Sequence, residues 1–211
     1  MMFKDRLEAG EKLADKVEVV VKGKGVVLGI PRGGVVTAKV VAERLGWPLE
    51  VIVTKKIGYP GHEELAMGAM AEDGEPVWDE RLRSQADLSE KEEKELVEGI
   101  RKEKVERYVK EFRQGRSLEV KGKTVIMVDD GIATGRTVEA GIKWLRAKGA
   151  GKIVVAVPTC ARDSAKKLKK LVDEWICLDT PWNFMAVGQF YREFPQVSDE
   201  EVVQILKNFL A

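Results

Sequence analysis

A chain of 211 residues with 44% hydrophobic and 34% charged residues can bury one sizeable core, which excludes global disorder. Lys plus Arg (36) and Asp plus Glu (35) leave a formal net charge of +1, so no general electrostatic drive toward nucleic acid or an anionic membrane exists. No apolar run reaches the ~18 residues of a membrane span, and the first residues lack the apolar core and cleavage site of a signal peptide. Cys160 and Cys177 are too few for a disulfide framework or a zinc site. A reducing cytoplasm is the expected setting, with the pairing of those two cysteines left open.

Leu7, Leu13, Ala14 and Val17 recur near helical spacing and predict an N-terminal amphipathic helix. Residues 26–30 read as a strand stopped at Pro31, residues 35–45 as a helix closed by Gly46, and residues 49–54 as a second strand. Segment 55–123 breaks this alternation. Gly58, Pro60 and Gly61 open it, and few apolar anchors hold it, so it is expected to be flexible. Asp73-Gly74 between short extended runs predicts a hairpin, and Ser89 with Glu92 starts a long charged helix to Arg113. Strands 124–128, 153–157 and 174–178 then alternate with helices 136–148 and 161–172, and Ser198 with Glu201 caps a last helix. Short apolar runs separated by helices predict an α/β fold: a doubly wound, mostly parallel five-stranded sheet with helices on both faces. The chain reads as a single domain, 1–211, carrying a hairpin/helix excursion at 55–123.

The strand at 124–128 ends in Asp129-Asp130, followed by Gly131, Ile132, Ala133, Thr134, Gly135, Arg136 and Thr137. A Gly- and Thr-rich turn at a helix N-terminus offers backbone N–H groups and two hydroxyls to a phosphate. The neighbouring carboxylates repel a bare anion; they suit ribose hydroxyls, or a divalent cation that the ligand carries. A Walker B strand would need a Gly-x-x-x-x-Gly-Lys-[Ser/Thr] loop, which the sequence lacks. After the first strand, Arg32, Gly33 and Gly34 allow close approach of an anion and supply charge. Lys55 and Lys56 are either a solvated strand end or a second source of charge, and His62 reads as an exposed loop residue. Trp182, Phe184, Phe190, Tyr191 and Phe194 crowd the C-terminal part.

The stretch VIMVDDGIATGRT, from Val125 to Thr137, resembles the phosphoribosyl pyrophosphate (PRPP) signature of the type I phosphoribosyltransferases. The resemblance implies transfer of ribose 5-phosphate from PRPP to a nitrogenous acceptor, in the first place a nucleobase in nucleotide salvage, with release of pyrophosphate. Asp129 and Asp130 are then expected to hold ribose hydroxyls and Mg²⁺ carried with PRPP, directly or through water, and residues 131–137 to cradle the 5-phosphate. Arg32, Gly33 and Gly34 would grip pyrophosphate, in a loop that in this family often contains a cis peptide. Lys55 or Lys56, beneath a mobile lid, would neutralise the leaving pyrophosphate. With Asp129, Asp130 and Arg32, these two lysines make the expected catalytic set. The resemblance also implies a small C-terminal hood at 179–197, with Trp182 or Phe184 stacking on the base and Phe190 and Phe194 in core or dimer contacts. The expected assembly is a homodimer or higher homo-oligomer without nucleic-acid or membrane partners. Hypoxanthine-guanine enzymes carry Asp where this chain has Ala133, so the acceptor is left open. The alternative is a non-catalytic PRPP- or nucleotide-sensing regulator on the same fold. The alternating charges of residues 91–113 give such a regulator no basic stripe for nucleic acid.

Overall fold

The computed structural model describes residues 1–209, apart from the side chain of Glu64. The chain opens with α1 (Arg6–Val20), β1 (Gly25–Gly29), α2 (Gly33–Leu45) and β2 (Leu49–Val51). An excursion follows: β3 (Thr54–Tyr59), β4 (His62–Ala71), β5 (Val77–Trp78), α3 (Glu80–Ala86), α4 (Glu90–Ile100), a π-helical turn (Arg101–Val105) and α5 (Glu106–Arg113). The alternation resumes with β6 (Thr124–Val128), α6 (Arg136–Ala147), β7 (Lys152–Thr159), α7 (Arg162–Leu168), β8 (Glu174–Asp179) and α8 (Asp199–Lys207).

The main sheet has the order β2-β1-β6-β7-β8 and is parallel throughout, where the sequence had suggested only a mostly parallel one. The central strands β1, β6 and β7 are apolar and buried over most of their length because both faces are covered. Val27, Ile126 and Val154 face one apolar layer with Leu13, Val17 and Val41 of α1 and α2. Leu28, Met127 and Val155 face the other with Val138, Ile142 and Leu145 of α6. The order reverses between β1 and β6: the chain leaves β1 toward β2 on one side and β6 toward β7 on the other. That reversal opens a crevice beyond the C-terminal ends of β1 and β6, the place where open α/β sheets bind ligands. Gly29 pairs with Val128, so the turns leaving the two strands start level.

The second predicted strand is shorter than expected. It leaves the sheet at Val51, and a new strand begins at Thr54. β3, β4 and β5 form an antiparallel sheet of their own. Its first hairpin turns at Pro60-Gly61, which the sequence presented only as loop; the predicted Asp73-Gly74 turn joins β4 to β5. The expectation of few apolar anchors is corrected as well: Ile57, Met67, Met70 and Val77 are buried, while the Pro60–Glu63 tip is exposed. The long helix forms with its Ser89/Glu92 capping box, but it passes through the π turn midway. Ser198 and Glu201 cap α8 as predicted.

Candidate active site

Two turns meet at the crevice. After β1 the chain turns through Pro31 and Arg32, joined by a cis peptide, into the Gly33-Gly34 start of α2. After β6 it turns through Asp129 and Asp130. A Cβ on Gly33 would stand 1.9 Å from Asp130 Oδ2, and one on Gly34 would stand 2.8 Å from Asp129 Cα. Both glycines are therefore demanded by contact with the acidic pair, which packs directly on this turn.

The pair is half-buried. Asp129 Oδ1 accepts the Asp130 N–H at 2.9 Å. Burial first, and then repulsion from Asp130, hold the Asp129 carboxyl well above the usual carboxylate range. Burial also raises Asp130, against the pull of Arg6. Arg6 Nε donates to Asp130 Oδ2 at 2.7 Å, and its Nη1 donates to the Pro195 carbonyl at 2.7 Å. The Arg6 guanidinium lies 3.7 Å from the centroid of the Phe194 ring, and that ring stacks on Tyr191. The Tyr191 hydroxyl donates to the Asp130 carbonyl at 2.5 Å, and burial pushes its pKa up, so it stays a donor. Phe3 bridges Tyr191, which stitches the chain's start to the segment after β8. One acid is thus neutralised by a cation that arrives from the N-terminal helix.

The following loop is pinned from behind. Ile132 donates its N–H to the Thr159 carbonyl and accepts from Ala161; Ser164 Oγ donates to the Ala133 carbonyl at 2.5 Å. Ile132 is buried in the core, so its side chain is no ligand contact. Ala133 and Thr134 are exposed and Thr137 is half-buried. Gly135, at φ 74°, precedes α6 without a side-chain cap, which leaves the helix's first N–H groups for an anion. Arg136, expected at the phosphate, instead pairs with Asp79 at the head of α3. Among the described residues no group of three or more His, Cys, Asp or Glu side chains gathers to hold a metal on its own.

The strand pleat separates the two candidate lysines. Lys56 is exposed, whereas Lys55 turns into a cavity of about 310 Å³ lined with Pro31, Arg32, Thr54, Tyr108 and Phe112. Its ammonium lies 3.7 Å from the centroid of the Tyr108 ring. Arg32 Nη1 faces Asp199 at 3.5 Å. Burial pushes Lys55 down to about 8; Asp199 opposes this, while Arg32, Arg107 and Lys104 add to it. In the unfolded chain Lys55 titrates near its ordinary 10.5, so between about 8 and 10.5 the unfolded state binds more protons and stability rises with pH. Below about 8 the full cost of holding the charge is present. Lys55→Met is therefore expected to raise stability at pH 7 by on the order of 1 kcal/mol, a value discounted because the half-exposed ammonium keeps part of its hydration. The gain should fade toward pH 10.5. Urea titrations across that range check it, and a gain independent of pH would contradict the assignment.

Trp182 is 86% exposed, with the Arg162 guanidinium 3.2 Å from its ring centroid on one face. Phe184 is half-buried and packs on Phe190, centroids 5.0 Å apart. Phe190 is buried, as expected for a core ring. Trp182→Ala should leave the melting temperature near wild type, whereas Phe184→Ala should cost about 1–3 kcal/mol of folding stability. Matched denaturation curves decide this, and equal losses in both variants would contradict it. His62 is exposed at the β3–β4 tip, and both cysteines are free.

The roles of four residues escaped the sequence reading. Tyr191 is legible only as one of the crowded C-terminal aromatics, and Tyr108 and Asp199 act from distant elements that no local pattern marks. Arg6 did leave a signal: it falls on the buried stripe of α1 with Ala9, Leu13 and Val17, and a charge on an apolar stripe asks for a partner.

A sequence model of the family described as phosphoribosyl transferase domain matches residues 7–191. Two Mycobacterium tuberculosis proteins, each provisionally named a phosphoribosyl transferase, are 43% identical over 211 residues, covering 97% of this chain but 46% of their own length. The chain thus spans about half the length of the curated relatives it matches. The crystal structure of TT1426 from Thermus thermophilus superimposes with a TM-score of 0.84 at 37% identity, over 100% of both chains. The AQ2163 protein of Aquifex aeolicus, at 13% identity and a TM-score of 0.51 over 83% of this chain and 73% of its own, shares the fold alone. Both the matched residues and the crevice geometry lead to one assignment: the chain belongs to the phosphoribosyl transferase domain family.

Proposed function

We propose that this domain binds PRPP with Mg²⁺ in the crevice between β1 and β6 and transfers ribose 5-phosphate to a nitrogenous acceptor, releasing pyrophosphate. The observation that carries this reading is the close approach of Gly33 and Gly34 to Asp129 and Asp130, which sets a glycine turn suited to an anion directly beside an acidic pair suited to a diol or a cation. Mg²⁺ fits the site because both carboxylates are held up by burial, and Asp129 also by its neighbour's charge; a cation relieves both costs. Bound with PRPP, it would supply charge neutralisation for the pyrophosphate leaving group.

The residues of the chain divide the remaining work. Asp129 and Asp130 orient the ribose hydroxyls and balance positive charge developing at C1. The uncapped start of α6, with Thr134 and Thr137, holds the 5-phosphate. Arg32 exchanges Asp199 for pyrophosphate, and Lys55, already charged at neutral pH, gains a counterion for its half-buried ammonium as the polyanion arrives. The β3–β4 tip, Pro60–Glu63, is exposed and suited to close over the cavity and keep out water. Trp182 presents its outer face to the acceptor ring, since α7 brings Arg162 beneath Trp182 and Ser164 against the phosphate loop. The two free cysteines fit a reducing cytoplasm.

The test is pyrophosphate release from PRPP and Mg²⁺ across adenine, guanine, hypoxanthine, xanthine, uracil and other nitrogenous acceptors. Turnover with one acceptor, lost in Asp130→Asn, supports the reading. Tight PRPP binding with no turnover on any acceptor would leave a sensor in its place.

A further inference from the structure

A sizeable cavity stands apart from the crevice. It lies on the far side of α5, encloses about 730 Å³, and is walled by the π turn, α5, the 115–121 segment and the end of α6. Its size is that of a small-molecule site. None of its lining residues belongs to the turns at 29–34 or 129–137.

The chemistry of the wall is specific. Arg101, Lys110, Arg113, Arg116, Lys121 and Lys148 line it. Against them stand Glu72, Asp73, Glu106 and Glu119, two of which are already engaged: Glu72 by Arg113, and Asp73 by Lys148. Lys110 and Lys121 are exposed and make no ion pair among the described residues. Arg113 is only 4% exposed, yet its Nε–H has no acceptor among the described residues. Arg101 Nε stands 3.1 Å from Glu98 but is likewise without a hydrogen bond. A buried guanidinium N–H without an acceptor is costly, and native structures seldom leave one unless something else satisfies it. Val105, Val109, Leu118 and Val120 form an apolar floor between these cations. Arg101 also opens the π turn, a local departure from α geometry that recurs at ligand sites.

We infer that this cavity is a second ligand site, one that takes an organic polyanion of nucleotide size: an apolar or aromatic body on the floor and a phosphate group against the cations. The site stands back to back with the pyrophosphate end of the crevice. α5 offers Lys110 and Arg113 to the large cavity, and Tyr108 and Phe112 to the cavity around Lys55. Arg113 also donates to the Val51 carbonyl, where the chain leaves the main sheet toward Lys55.

The experiment uses the full chain with ADP as probe, and with adenosine and inorganic pyrophosphate as its two halves. Calorimetry should show ADP binding more tightly than either half. Hydrogen exchange should show ADP protecting residues 101–121. The rim pair Lys110→Glu with Lys121→Glu is exposed and should keep the wild-type melting temperature; it should weaken ADP about tenfold or more, because each lysine supplies a charge-assisted hydrogen bond. PRPP binding by that variant should stay at the wild-type level, which separates this site from the crevice. Three results overturn the inference: no ADP binding at millimolar concentration, protection confined to residues 29–34 and 129–137, or unchanged ADP affinity in the double variant.

Discussion

Arg6→Ala is expected to cost about 3 kcal/mol or more of folding stability and to abolish PRPP binding, although Arg6 lies outside both turns of the crevice. Its side chain is 8% exposed and that of Asp130 is 13% exposed. Truncation leaves an ionised or forcibly protonated Asp130 beside Asp129, an unpaired Pro195 carbonyl and an uncovered Phe194 ring. Each loss is charged to the folded state, because water solvates all three groups in the unfolded chain. Arg6→Lys should recover only part of the loss: an ammonium has no planar fork to reach Asp130 and Pro195 at once. Urea denaturation, with PRPP calorimetry on the fraction that stays folded, measures both effects. A melting temperature within a degree or two of wild type would show that the pair contributes nothing.

Asp129→Asn and Asp130→Asn are expected to weaken PRPP binding by roughly tenfold to over a hundredfold, the cost of losing a hydrogen bond to a charged group. Their effects on folding should differ. Asp129→Asn removes a carboxyl whose charge is penalised by burial and by Asp130, so stability should hold or improve. Asp130→Asn keeps an oxygen for Arg6 but removes its counterion, so part of the ion-pair stabilisation disappears. From sequence the two need not matter equally to PRPP, with nothing to say which matters more, but in folding they look equivalent, little change being expected in either. The Arg6 contact breaks that equivalence. Calorimetry in Mg²⁺ with parallel melting curves reads the two effects separately, and wild-type PRPP affinity in both variants would remove the acidic pair from the site.

What was legible in the sequence was local. Five apolar runs gave the parallel sheet, because strands buried on both faces cannot hide their composition. The Asp129–Thr137 turn and the Gly33-Gly34 turn were legible because each is built from consecutive residues with a short-range purpose. The β3–β4 hairpin was not, since Gly58 and Pro60-Gly61 read as loop punctuation; they in fact hold a tight turn with irregular register beside it. Without β3 the choice between Lys55 and Lys56 could not be made, as only the pleat of a recognised strand sends one inward. Arg6 and Asp130 are 124 residues apart, and Arg32 and Asp199 are 167 apart. Such pairings follow from how finished elements pack, which no local spacing encodes.

The Arg6 contact also bears on how this domain can be cut and recombined. The stretch that matches the family starts at residue 7, immediately after that arginine. A fragment begun there would retain every strand and both turns, yet its acidic pair would lack its cation, and the Phe3 bridge to Tyr191 would be gone. Chimeras that exchange this domain between relatives therefore need residues 3–6 and 190–195 taken from the same parent, because those two short segments pair with each other and together hold Asp130.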